Sequence, residues 1–81
     1  MWTVYILKCY DNTYYTGCTH DLNERLQRHN NRQVAYTSSR LPVQVVHQSV
    51  FYDKYKAFEF EKYLKSGSGR AFAKKRLCSI D

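Results

Sequence analysis

The apolar residues of this chain fall in short blocks divided by turn-forming residues. Trp2 to Cys9 is apolar, aromatic and β-branched, a composition that predicts a strand. Tyr10-Asp11-Asn12 carries turn chemistry, and Thr13 to Cys18 reads as the return strand of a hairpin. The period then lengthens. Leu22, Leu26 and His29 share one face of a first helix, with Asp21 as N-cap, Glu24 three residues on as a capping-box partner, and Asn30-Asn31 as its stop. Residues 32–42 form a polar loop closed by Pro42, and Val43 to Val50 reads as a third strand. A second helix runs from about Asp53 to Lys65 with Ala57, Phe60, Tyr63 and Leu64 inward. Ser66-Gly67-Ser68-Gly69 breaks it, and a short basic helix runs from Arg70 to Leu77. The order ββαβαα predicts an α/β fold, a small three-stranded antiparallel sheet flanked by helices. Residues 1–81 are expected to form one domain, without internal repeats.

The hairpin fixes which side chains meet. A two-residue turn at Asp11-Asn12 would pair positions summing to 23 and send Tyr5 and Tyr15 to opposite faces. A three-residue loop, Tyr10-Asp11-Asn12 with Asn12 left-handed, makes the sum 22. Tyr5 then faces Gly17, Tyr15 faces Leu7, and both phenols lie on one face as diagonal neighbours. Gly17 removes the side chain that would crowd Tyr5. On the first helix, Arg25 and His29 stand four apart on the flank of the Leu22-Leu26 stripe, so they can grip a phosphate beside the tyrosines. Arginine offers a planar fork for non-bridging oxygens, and histidine relays a proton or orients a phenol.

Composition sharpens this picture. Thirteen Lys+Arg against seven Asp+Glu give a net charge of +6 on 81 residues, a field that attracts polyanions. Eight Tyr, four Phe and one Trp supply rings that stack bases or line a phosphate site. Lys8, Arg40, Lys65, Arg70, Lys74 and Lys75 are the candidate nucleic-acid contacts, with Arg76 beside them. Ser66–Gly69 is either a helix–helix turn or a set of backbone N–H groups facing a phosphate. A Walker-type phosphate loop is excluded by spacing. Cys9, Cys18 and Cys78 are odd in number and lack C-x-x-C spacing, so neither a zinc site nor a disulfide framework is expected. No run approaches 18 apolar residues and no leader pattern opens the chain, so a cytoplasmic protein without membrane attachment is expected.

Thr3-Val4-Tyr5 and Tyr15-Thr16-Gly17, with ten positions between the tyrosines, resemble the "GIY" and "YIG" elements of the GIY-YIG nucleases. Leu22 to His29 resembles the family's helix bearing Arg and His four apart, and Ala57 to Lys65 its metal-binding helix. The likeness covers nearly the whole chain and is closest to small stand-alone members related to the N-terminal nuclease domain of the excinuclease. Thr3, Val4 and Thr16 depart from the pattern at backbone and packing positions. The resemblance implies an endonuclease acting on DNA with low sequence specificity. It implies one Mg²⁺, with Mn²⁺ as a substitute, held by a single glutamate and the substrate phosphate, and no small-molecule cofactor. It also implies that Tyr5 or Tyr15 serves as base, its phenol pKa lowered by Arg25, Lys8 or the ion. Tyr5, Tyr15, Arg25, His29 and Glu61 are thus the candidate catalytic residues.

Glu59 and Glu61 lie about 100° on either side of Phe60, so helical periodicity leaves both at the boundary of the buried face. Each also has a lysine within reach, Lys62 or Lys65. Glu61 is favoured as the metal ligand by its place in the family's pattern and by lying on the side of small Ala57. A binding module of the same fold without catalysis, and a small protein-interaction domain with exposed aromatics, are the alternatives.

Overall fold

The computed structural model describes residues 1–78. Its elements run β1 (Trp2–Cys9), β2 (Tyr14–Thr19), α1 (Leu22–Asn30), β3 (Val43–Phe51), α2 (Lys54–Lys65) and α3 (Gly67–Arg76). The strands form one antiparallel sheet in the order β2-β1-β3, which gives the expected ββαβαα α/β fold. The β1–β2 loop takes the three-residue form: Asn12 is left-handed at φ 67°, and Cys9 N–H donates to Thr13 O at 2.8 Å. Asp11 closes the turn by accepting from the Thr13 N–H at 3.2 Å. The register follows, Tyr5 opposite Gly17 and Leu7 opposite Tyr15.

β1 is the central strand, and Val4, Tyr5, Ile6 and Leu7 are all buried. On one face Val4 and Ile6 pack with Ala57, Leu64, Ala73 and Cys78, beneath α2 and α3. On the other, Tyr5 meets Tyr15 and α1. β3 pairs with β1 through a bulge: Ile6 opposes His47 but Leu7 opposes Val45. The extra residue, Val46, packs against the core.

Three local expectations are corrected. Asp21 caps α1 by accepting from Glu24 N–H at 3.1 Å, but the Glu24 carboxylate does not complete a capping box. It bonds Arg28 Nε one turn on, because a cationic partner at i+4 competes with the backbone N–H. In α2 the buried positions are Ala57 and Leu64, with Phe60 and Glu61 half-buried, while Tyr63 is 42% exposed. Seven residues make about two turns, so Ala57 and Leu64 define the inward line, and Tyr63 lies about 100° off it. Its ring lies 6.0 Å from that of Phe72 on α3 instead. The last helix starts at Gly67, three residues earlier than expected, because Ser66 Oγ accepts from Gly69 N–H at 3.1 Å and caps it. The Ser-Gly segment is therefore its first turn. Gly69 sits so close to α2 that a Cβ there would lie 1.7 Å from the Tyr63 carbonyl oxygen. No helix among the described residues is long and apolar enough to cross a membrane.

Candidate active site

The β-hairpin register brings the Tyr5 and Tyr15 rings to 6.2 Å. The last turn of α1 lays His29 across both, at 5.9 Å from Tyr5 and 4.9 Å from Tyr15. Tyr5 and His29 are fully buried, and Tyr5 Oη lies 3.0 Å from His29 Nε2. The other imidazole nitrogen, Nδ1, lies 2.7 Å from Oγ1 of Thr37, which is also fully buried. Thr37 Oγ1 in turn donates to Val34 O at 3.4 Å. With that hydroxyl proton directed at a carbonyl, Nδ1–H donates to Thr37, and Nε2 is left to accept from the Tyr5 phenol. Burial, and secondly the nearby positive charge of Arg25, hold the His29 pKa below its ordinary value, so the ring is neutral at pH 7 and able to accept.

The phenol of Tyr5 departs from the sequence-based expectation of a lowered pKa. Burial raises it well above the ordinary phenol range, and Tyr15 raises it further. The charge of Arg25 pulls the other way without cancelling the effect. Tyr5 therefore keeps its own proton. The hydroxyl is also fixed in space, for a Cβ on Gly17 would lie 2.5 Å from Tyr5 Oη.

Arg25 stands one turn before His29 on α1, and its Nε is buried with no hydrogen-bond partner. Its charge acts on Tyr5 of β1 and on the Cys18 thiol of β2. The pKa of that thiol is raised by burial and by the negative charge of Glu61, and eased by Arg25 and Lys65. Glu61 thus approaches β2 from the α2 side. Tyr5, Tyr15 and His29 gather on one face of the sheet, Glu61 approaches from the α2 side, and the charge of Arg25 bears on both Tyr5 and Cys18. Glu61 is half-buried and pairs with Lys65 Nζ at 3.1 Å, whereas Glu59 points to solvent on the far flank of α2.

Against known proteins, the model of the GIY-YIG catalytic domain matches residues 1–76. The chain belongs to the GIY-YIG family. It is 44% identical over 66 residues to a UPF0213 protein of Staphylococcus saprophyticus, covering 80% of each chain. It is 42% identical over 64 residues to a UPF0213 protein of Staphylococcus aureus strain N315, 78% of each. Among solved structures it is similar to the solution NMR structure of a UPF0213 protein from Bacillus halodurans. That match has a TM-score of 0.62 at 30% identity, over 98% of this chain and 88% of the other.

The GIY-YIG domain is generally a nuclease fold, and the basic candidates are distributed unevenly over it. Lys65, Arg70 and Lys74 line a cleft of about 600 Å³ that opens beside Tyr15. Lys8 sits half-buried on β1, and Lys75 is exposed on α3. Arg40 is engaged within the fold: it pairs with Asp11 at 2.6 Å, donates to Tyr36 O at 2.9 Å and lies 4.5 Å over the Tyr36 ring. The Gly69 N–H that an anion would use is taken by Ser66.

Two residues of the loop joining α1 to β3, absent from the sequence-based candidates, complete the cluster. Thr37 supports His29, and the Tyr36 ring lies 5.8 Å from that of Tyr15. Nothing in the spacing marks Thr37. The one signal for Tyr36 is an aromatic ring inside an otherwise polar loop. Among the described residues, no group of three or more His, Cys, Asp or Glu gathers to hold a metal. Glu61, half-buried on α2 and bearing on the Cys18 thiol of β2, is the candidate carboxylate.

Proposed function

We propose that this protein is a divalent-metal-dependent endonuclease that hydrolyses DNA phosphodiester bonds with low sequence specificity. The observation that carries the reading is the buried chain Thr37–His29–Tyr5, whose phenol lies next to an arginine with an unpartnered buried Nε. A buried donor without an acceptor costs about 1–3 kcal/mol, so the site is stabilised by an anion that supplies one. A phosphodiester is such an anion, and the guanidinium meets its non-bridging oxygens.

Tyr5, with its raised pKa, serves as a relay. As an attacking water gives its proton to Tyr5 Oη, the phenol passes its own to His29 Nε2, so no free phenolate forms. His29 takes up the positive charge, and Thr37 holds the ring in the accepting tautomer. Tyr15 packs against both rings and holds them in place.

A single half-buried carboxylate fits an ion that keeps most of its water, as magnesium does, and does not fit one caged by protein ligands. Glu61 would hold Mg²⁺, or Mn²⁺ in its place, once Lys65 releases it. The ion would neutralise charge developing on the phosphoryl oxygens. Three unpaired cysteines, two of them buried, suit a reducing cytoplasm.

A binding module of the same fold without catalysis is favoured by one observation, the Glu61–Lys65 ion pair, which competes with a metal. Plasmid nicking separates the two readings. Mg²⁺-dependent nicks that disappear in Tyr5→Phe and Arg25→Ala are expected. DNA binding without cleavage in any divalent ion would leave the binding module standing.

A further inference from the structure

The cleft beside Tyr15 is not explained by phosphate hydrolysis. Its floor is apolar, formed by Leu64 with neighbouring core atoms, and one wall is the tyrosine pair Tyr15 and Tyr36. Lys65, Arg70 and Lys74 also line it. A groove that only tracked phosphates would need the cations and not the apolar floor. A pocket for an uncharged apolar ligand would not need three cations. Rings, an apolar base and cations together match a nucleotide, in which a flat base is joined to an anion. The volume, about 600 Å³, lies inside the range of pockets that enclose one small-molecule unit. Its two ends touch the candidate site, through Tyr15 beside His29 and Lys65 beside Glu61.

We propose that this cleft receives one unstacked base of a DNA single strand, adjoining the phosphate that is cut. A base within a duplex is stacked and paired, and placing it in a lateral cleft requires flipping it out, which weakens binding. A single strand presents its bases without that cost. The substrate class that follows is single-stranded DNA, or the unpaired segment of a branched molecule. This inference rests on the nuclease reading for the phosphate's position and goes beyond it in naming the strand.

The test is equilibrium binding in EDTA, where no cleavage occurs, so it is separable from nuclease activity. Fluorescently labelled single strands and the duplex of the same sequence are titrated at one salt concentration. We expect the strand to bind at least about tenfold more tightly, and one abasic position in a short strand to cost about tenfold, the usual effect of one lost base–aromatic stack. Tyr36→Ala should cost a similar factor, while Tyr36→Phe keeps the wall and binds like the parent. A 2-aminopurine at the sensitive position should change its emission with the parent and not with Tyr36→Ala. Equal affinity for strand and duplex, indifference to every abasic position, or unaltered binding by Tyr36→Ala would each overturn the proposal. Nicking of plasmid by a protein that fails these binding tests would leave the nuclease reading intact and remove the cleft alone. Selective strand binding by a protein that never cleaves would do the reverse.

Discussion

Gly17 is small because Tyr5 needs the space. A methyl group there would lie 2.5 Å from the phenol oxygen, and Tyr5 is enclosed and hydrogen-bonded to His29, so it has nowhere to move. Gly17→Ala should therefore displace the hydroxyl. The expected stability cost is about 1–3 kcal/mol of overpacking, while nicking falls by about a hundredfold or more from misplacement. Urea unfolding and nicking rates on the same preparation check this, and an alanine variant with normal activity would refute it. His29 gives a pH prediction. Its folded pKa lies below the unfolded value of about 6.5, so the neutral, accepting ring is present at pH 7 and is lost as pH falls through the folded value. Cleavage should be flat near neutrality, with its acid limb below about 6.5. Stability runs in the same direction: burial depresses both His29 and His47, so the fold is less stable on acidification below that same value. An acid limb above about 6.5, or unfolding that becomes harder on acidification from neutrality, would contradict the assignment. The two tyrosines, Arg25 and His29 are legible as a group because strand register and helix spacing are arithmetic on the sequence. The raised pKa of Tyr5 is not, since it depends on how completely His29, Tyr15 and the surrounding fold enclose the phenol, and the loop that holds His29 through Thr37 and packs Tyr36 on Tyr15 has no periodicity.

At the scale of elements, α2 shows why a symmetric ambiguity in sequence is resolved by packing. Centring the helix on Phe60 leaves Glu59 and Glu61 equivalent and places Tyr63 inward. The core selects Ala57 and Leu64, turns Glu61 toward β2 and leaves Glu59 and Tyr63 outside. Glu61→Gln should abolish Mg²⁺-dependent nicking, and Glu59→Gln should leave it nearly normal. The Glu61–Lys65 pair, whose lysine is half exposed, is worth at most about 1 kcal/mol, so lost folding would not explain the first result. The opposite pattern would move the metal site to the far flank of the helix. The α2–α3 corner carries a second consequence. Gly69 touches the Tyr63 carbonyl, whereas Gly67, two residues earlier, has open space around its Cβ position. Gly69→Ala should cost about 3 kcal/mol or more, and Gly67→Ala should be neutral or stabilising by up to about 1 kcal/mol. Thermal midpoints of the two variants make the comparison. The sequence shows a break at Ser66–Gly69 but not that the backbones meet there, because a glycine signals freedom and contact with the same letter.

Across the whole molecule, charge rather than shape should govern the first encounter with DNA. Of thirteen Lys and Arg, three stand in ion pairs among the described residues, Arg28 with Glu24, Arg40 with Asp11 and Lys65 with Glu61, which leaves ten without such a partner there. Each phosphate neutralised on binding releases counterions, contributing a slope of about −0.9 in log affinity against log salt for duplex and about −0.7 for a single strand. If half of the free cations engage, affinity should fall by orders of magnitude between dilute and high salt, and unrelated sequences should compete within about tenfold. Neutralising the cleft alone is a sharper experiment. Replacing Lys65, Arg70 and Lys74 together by Gln removes three contacts, so the slope should shrink by about 2 to 3 while the fold is retained. These side chains lie at the surface of α2 and α3, outside the Val4–Ile6–Leu64 core. Replacing Lys54, Lys56 and Lys62 changes the net charge by the same amount on surface positions outside the cleft lining. If the two triple variants show the same salt slope, the positive field acts as a whole and the cleft has no special part in it. If only the first flattens the slope, DNA is held along α3 and drawn past Tyr15 toward the Tyr5–His29 pair, beside which the buried Arg25 Nε lacks a partner.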